Sequence, residues 1–301
     1  MEKMKTMCRM MLGVAVAGCL AGCGGRVQQA GGGADSLSAE SFADSAAAVA
    51  ADTCVTVVTE RHGSCEAGEV KVYMELPSGT DAVSRTIADT LLRVVDLNAG
   101  SAGIGGDTRV VPPYKGERDF GKIADYYVAG VLKHFREQAA EIKEDIPDPL
   151  PCSYEMGLRK TFETRKYVVF LSQDYWFLGG AHGGIGGEGS LTFSKNTGKI
   201  LRSFFKPGAN MQGILKRGLT TYFGEASGSR MTEQELYDCL LLDGKKIPLP
   251  VQSPCPTDKG LVFTYCQYEI APYAAGMPNF LVTYKEAAPY LTDEAKELLL
   301  P

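Results

Sequence analysis

The chain has 301 residues, of which 45% are hydrophobic and 22% charged, and its formal net charge is -5. That length and apolar share suffice for one large domain or two small ones with a genuine core. An acidic balance makes nucleic acid a poor partner and favours a basic one.

Lys3, Lys5 and Arg9 precede an apolar run from Met10 to Leu20, too short to span a bilayer and built like a secretory signal. The run closes in Leu20-Ala21-Gly22-Cys23, which resembles a bacterial lipobox, so residues 1–22 are expected to be a lipoprotein signal peptide and Cys23 the lipidated residue. Their loss, three basic residues and one acidic, would move the net charge to -7. With more than one acyl chain on Cys23 attachment would be stable. The expected location is therefore the cell envelope, periplasm-facing or on the outer membrane, with a lipid anchor as the membrane contact. Residues 23–52 are mostly Gly, Ala, Ser, Gln and Asp and hold too few large apolar side chains to offset the cost of ordering, which predicts a flexible tether. In it, Asp35-Ser36-Leu37 and Asp44-Ser45-Ala46 resemble a bacterial Asp-Ser/Thr-apolar O-glycosylation sequon, with Ser36 and Ser45 as acceptors.

In the body, 53–150 reads as an N-terminal α+β part. Thr53 to Glu60 and Glu69 to Leu76 predict a hairpin turning at Arg61-His62-Gly63-Ser64. Thr80 would cap a helix marked by Val83, Ile87, Leu91 and Val94, and Phe120 to Ile142 repeats the helical spacing up to Pro147. From 151 to 301 a second α+β part follows. Tyr154 to Thr164, Tyr167 to Phe177 and Ser190 to Leu201 predict an antiparallel meander. Helices are expected over Met211 to Phe223 and Thr232 to Leu241, the latter with Thr232 and Glu235 at capping-box spacing. Strands at Leu261 to Ile270 and Phe280 to Tyr284 and a short helix after Thr292 close the chain. Grouped strands and helices without strict alternation predict α+β, with antiparallel sheet packed against helices.

Gly184, Gly186 and Gly189 spell G-x-G-x-x-G within GGAHGGIGGEG (179–189). A dinucleotide loop needs a helix to start there, so that amides face the phosphates. Ser190 to Ser194 instead alternates with period two, so the glycines are expected to link two antiparallel strands and no cofactor is expected. Six cysteines follow Cys23, and an oxidising periplasm would favour pairing; fifteen connectivities are open, with Cys54–Cys65 and Cys239–Cys255 preferred as near pairs. None stands at zinc-ligand spacing, so no metal is expected.

GLVFTYCQYEIAPYAAGMPNFLVTYKEAAPYL from Gly260, with the earlier YWFLGGAHG, resembles the extracytoplasmic domain of the RsiV anti-sigma factor family. That domain is also found attached to PdaC-type polysaccharide deacetylases and in stand-alone lipoproteins. The quoted likeness includes Gly179-Gly180-Ala181-His182, Thr197-Gly198-Lys199 and Tyr268 to Gly276, and it spans roughly residues 53 to 299. The resemblance implies an α+β sensing or binding domain, which in RsiV is a lysozyme receptor. Neither an anti-sigma segment nor a deacetylase domain is expected with it here.

His182 is the sharpest candidate for chemistry, with Asp174 and Ser190 each eight residues away. No G-x-S-x-G elbow occurs, so catalytic residues are not assigned, and a ring that pins the glycine turn is the plainer reading. Trp176, in Tyr175-Trp176-Phe177, is either core or a stacking platform. Tyr268, Pro272, Tyr273 and Met277 lie on a segment stiffened by proline and suited to contact. The expected function is non-catalytic binding or sensing of an envelope protein or glycan, with a lysozyme-like hydrolase or peptidoglycan as partner. A wall-active hydrolase using His182, and an envelope scaffold module, are the alternatives.

Overall fold

The computed structural model describes residues 53–102, 109–142, 150–179, 185–228 and 231–301. The signal and the whole tether, with Cys23, Ser36 and Ser45, thus lie outside the described residues, as does His182. The described residues fall in one compact unit, Ala51–Pro301.

The chain opens with a hairpin, β1 (Thr56–Cys65) and β2 (Gly68–Pro77), paired along its whole length from Thr56↔Pro77 to Cys65↔Gly68. The predicted turn at 61–64 is therefore strand, and the reversal is made by Glu66-Ala67. Gly68, at φ 153°, closes it where a Cβ would lie 2.2 Å from the Cys152 carbonyl oxygen, so only glycine fits. In β2, Val70, Val72, Met74 and Leu76 are fully buried, while Glu69 and Lys71 face solvent, the period-two pattern of a sheet with one covered face.

Two helices cover that face, α1 (Ala82–Ser101) and α2 (Phe120–Ile142). The cap of α1 is Asp81 rather than Thr80: its carboxylate accepts from the Val83 and Ser84 amides at 2.9 Å, which a side chain one residue earlier would not reach. Ile87, Leu91 and Val95 of α1, and Tyr127, Val131 and Phe135 of α2, share one buried cluster with the β2 row and with Tyr154, Met156, Leu158, Val168 and Phe170.

β3 (Cys152–Glu163), β4 (Tyr167–Phe177) and β5 (Ile185–Ser194) form the expected antiparallel meander. β2 and β3 pair in parallel, which gives one mixed five-stranded sheet, β1-β2-β3-β4-β5. The parts 53–150 and 151–301 therefore share a sheet. β5 starts five residues earlier than the sequence suggested, because Gly186, Gly187 and Gly189 pair with Tyr175, Asp174 and Ser172. After Ser194 the chain turns at Gly198, and Ile200 bridges back to Phe193.

The second face of β4 meets the rest of the chain. There α3 (Gln212–Ser227), α4 (Glu233–Cys239) and a three-stranded sheet pack with Tyr167 and Val169. That sheet has the order β6-β7-β8: β6 (Cys255–Pro256), β7 (Gly260–Thr264) and β8 (Asn279–Thr283). Tyr167 to Phe170 are each at most 3% exposed, so β4 is the strand buried on both faces. Thr232 and Glu235 form the expected capping box on α4. A second box, Thr283 with Glu286, ends β8 and starts α5 (Tyr284–Ala287); α6 (Asp293–Leu299) follows Thr292.

The expected disulfides are not present: Cys54, Cys65, Cys152, Cys239, Cys255 and Cys266 are free. For Cys54–Cys65 the reason is geometric. Cys54 lies just ahead of β1 and Cys65 is its last residue, which at about 3.3 Å per residue sets them on the order of 30 Å apart, whereas a disulfide needs Cα atoms within about 7 Å. Nearness in sequence is a poor guide when the intervening residues are extended. Cys239 ends α4 and Cys255 forms β6, and their thiols are likewise unpaired with each other.

Candidate functional site

The glycine-rich half of β5 and the segment after β7 meet at one end of the molecule. β7 stops at Thr264, shorter than expected, because Tyr268 takes a left-handed φ of 63° and the Glu269 amide turns back to the Cys266 carbonyl. The turn is tied to β5 at several points. Gln267 Oε1 accepts from the Gly186 amide at 2.7 Å, and Thr264 Oγ1 donates to Glu188 Oε1 at 3.3 Å. Glu188 also accepts from Gln173 Nε2 at 2.8 Å. Glu269 fixes the turn from within, accepting from the amides of Val251 at 2.6 Å and Cys266 at 2.9 Å. Burial holds its carboxyl above the usual range despite those two amides.

On this frame the contact candidates come together. The Tyr268 and Tyr273 rings lie 5.8 Å apart at 40°. Pro272 is exposed and leads into a 3-10 turn, Tyr273–Ala275, closed by Gly276 at φ 67°, and Tyr222 Oη donates to the Ala275 carbonyl at 2.8 Å. Met277 is partly buried at its end. Tyr175, 41% exposed, stands opposite Gly186, to which Gln267 is bonded. Trp176 belongs elsewhere: strand alternation turns it to the other face, where it packs against the α1/α2 cluster. A continuous Tyr175-Trp176-Phe177 platform is therefore not formed.

The same alternation bears on the hydrolase reading. Asp174 pairs with Gly187 and Ser190 with Leu171, so Asp174 and Ser190 leave opposite faces of the sheet. These two cannot serve one histidine as acid and nucleophile, since a triad requires hydrogen-bond reach.

Nothing local in the sequence marks the pair behind the glycines. Tyr154 of β3 is fully buried and its hydroxyl has no hydrogen-bond partner among the described residues. Met156 opposes Asp174 and Trp176 opposes Tyr154, so Tyr154 and Asp174 are diagonal neighbours on the helix-covered face. Burial pushes the Asp174 carboxyl up to about 6. The available signal was parity: Asp174 occupies a core-facing position of β4.

Residues 203–285 match a family described as protein of unknown function (DUF3298). No match is found among curated proteins. A crystal structure of a DUF3298 family member from Bacteroides fragilis NCTC 9343 superposes with a TM-score of 0.53 at 16% identity, covering 79% of this chain and 93% of that one. A DUF3298 family protein from Pseudomonas aeruginosa PAO1 gives 0.52 at 13% identity, covering 81% of this chain and 97% of that one. The chain is thus similar to DUF3298 proteins, in sequence over residues 203–285 and in fold over most of its length.

Proposed function

We propose that this chain is a lipid-anchored, periplasm-facing module that binds an envelope protein without chemical turnover, and that its partner is a basic, lysozyme-like wall hydrolase. The observation that carries the reading is the Tyr268–Tyr273 pair on a turn pinned to β5 by Gln267 and Thr264 and held from within by Glu269. Aromatic rings held on a stiff loop contribute contact area with little ordering cost, which is what an interface anchor requires. The acidic balance of the chain suits a basic partner. The likeness of Tyr268 to Gly276 to the RsiV extracytoplasmic domain adds the partner class. With Asp174 and Ser190 on opposite faces, the geometry favours binding over hydrolysis by way of His182.

The test is surface plasmon resonance of a basic lysozyme over the full chain held in detergent. Binding at or below tens of micromolar is expected, about 6 to 7 kcal/mol of association free energy. Tyr273→Ala should cost on the order of 2 kcal/mol, about thirtyfold in affinity, mainly through faster dissociation. Added salt should mainly slow association. Absence of binding by the folded wild type ends the lysozyme reading; release of product from peptidoglycan that Tyr273→Ala leaves intact and His182→Ala abolishes would replace binding with catalysis.

A further inference from the structure

The three-stranded sheet ends on an open edge. The Tyr265 amide donates to the Pro278 carbonyl at 2.8 Å, so in the alternating ladder Phe280 and Val282 bond to β7, while Asn279, Leu281 and Thr283 turn their amides and carbonyls away from it. The Thr283 amide is taken by Glu286 Oε2 at 3.1 Å. For the backbone groups of Asn279 and Leu281 no partner is present among the described residues. Sheet edges are usually guarded by charge. β1, the free edge of the larger sheet, carries Glu60, Arg61 and His62 in succession. β8 carries no charge from Asn279 to Thr283, and its central residue is Leu281, 45% exposed.

α3 runs beside that edge. Ile214, Arg217, Thr221, Tyr222 and Glu225 recur on one helical face and, with the stretch from Asn279 to Val282, line a groove of about 390 Å³. Gly218 lets the helix approach, since a Cβ there would run into the Phe280 ring. At one end of the groove Arg217 Nη2 donates to Glu286 Oε1 at 2.6 Å. At the other, Tyr222 donates to the Ala275 carbonyl, so the groove continues from the aromatic turn. Its charges are uneven: Arg217 is held by Glu286, whereas Glu225 has no ion-pair partner among the described residues.

We infer that the groove between α3 and β8 takes an extended segment of the protein partner, which adds a strand antiparallel to β8 and sets a cationic side chain against Glu225. The inference rests on the reading that the chain binds a protein, and it names the part of that protein held here. An added strand would satisfy the backbone groups of Leu281 and Asn279, and its alternate side chains would enter the groove. A helix could not use the edge, because its own backbone groups are already bonded to one another. Antiparallel addition is favoured as the more stable pairing. Residues directly opposite each other across such a pair share a face. The partner residues that bond Leu281 and Asn279 therefore point their side chains away from α3, and those between them point theirs toward Ile214 and Tyr222.

The probe is the heptapeptide Thr-Val-Thr-Val-Thr-Arg-Thr, carrying fluorescein at its N-terminus and an amide at its C-terminus, and the readout is fluorescence anisotropy with the full chain in detergent. Saturable binding at about 100 µM or tighter is expected. N-methylation of the two inner threonines removes the donors that face β8 and should weaken binding at least about tenfold, whereas N-methylation of the two valines should leave it within about threefold. Replacing the arginine by citrulline should weaken binding about threefold or more, and Glu225→Gln should weaken the arginine peptide but not the citrulline one. Leu281→Pro removes an outward amide without touching the β7 ladder, a position at which edge strands tolerate proline, and should lower binding at least about tenfold. If that variant does not fold, the two methylated peptides decide alone. No saturation, equal responses to the two methylation patterns, or full binding by a folded Leu281→Pro would overturn the site. Lysozyme capture by a chain that binds no peptide overturns it and spares the binding module. Peptide binding without lysozyme capture sinks the choice of partner and spares the groove.

Discussion

At the scale of the residue, Asp174 shows how an ordinary side chain is altered by its place. It stands on the helix-covered face of β4 beside Ser172 and Trp176, and burial lifts its carboxyl from an ordinary 3.8 to about 6. The sign of the consequence follows from linkage. As pH rises from about 4 to about 6 the unfolded chain loses this proton while the folded one keeps it, so folding is penalised progressively and the full cost is present above 6. Asp174→Asn should therefore raise the chain's stability at pH 7 by on the order of 2 kcal/mol, read by urea unfolding, and the gain should vanish near pH 4. A gain of equal size at both pH values would assign it to something other than the buried charge.

At the scale of the element, two contacts decide how the layers meet. α2 lies close over β1 because Gly63 has no side chain: a Cβ there would stand 2.6 Å from Val128 Cγ1 and 2.8 Å from Leu132 Cδ1. Gly63→Ala should cost about 1–3 kcal/mol of overpacking in a denaturant titration. A neutral result would mean that α2 can slide. The second contact is the ion pair of Lys195 Nζ, just past β5, with Glu163 Oε1 of β3 at 2.7 Å, their side chains 8% and 11% exposed. Glu163 also accepts from the Cys54 amide at 2.7 Å and pairs with Lys160 at 3.3 Å, which ties the start of β1 to the end of β3. Burial alone would raise its carboxyl, but the Lys195 and Cys54 hydrogen bonds and the two lysine charges hold it below the usual range. Lys195→Met should cost about 3–5 kcal/mol by leaving a buried carboxylate short of a partner. Since a depressed carboxyl loses its stabilising effect as pH falls through its folded value, the wild type should lose more stability on acidification than Lys195→Met does. Parallel acid profiles would show that the pair carries little of the stability.

At the scale of the whole molecule, the sheet joins what the chain order separates. β4 is covered on one side by α1 and α2 and on the other by the residues that match the DUF3298 family, so neither half of the body can bury its apolar face alone. No helix among the described residues is long and apolar enough to cross a membrane. The proposed lipid attachment is tested at Cys23, the cysteine of the lipobox-like sequence. Cys23→Ser should shift the chain from the membrane pellet to the soluble fraction in a fractionation of expressing cells, and retention in the pellet would refute lipidation at that residue.

The sequence by itself determined the elements whose signals are local. Helical spacing marked α1 and α2, alternation marked β2 to β4, and the Thr232 and Glu235 spacing marked a capping box, because each depends on residues only a turn or a few positions apart. The contact segment with Tyr273 and the strand that follows the glycines were legible for the same reason, whereas the turn at Tyr268 was not, because the run from Leu261 to Ile270 reads as unbroken strand. What tertiary structure decided was everything set by partners distant in the chain. It extended β1 through Gly63 and β5 through three glycines, since a strand is defined by its neighbour's hydrogen bonds as much as by its own composition. It paired β2 with β3 in parallel, separated Cys54 from Cys65 by the length of a strand, and parted Trp176 from Tyr175 and Asp174 from Ser190 by face. It also set the Tyr154 hydroxyl diagonally beside the Asp174 carboxylate, because the β3–β4 register is fixed by packing on both faces of the sheet and cannot be read from either strand alone.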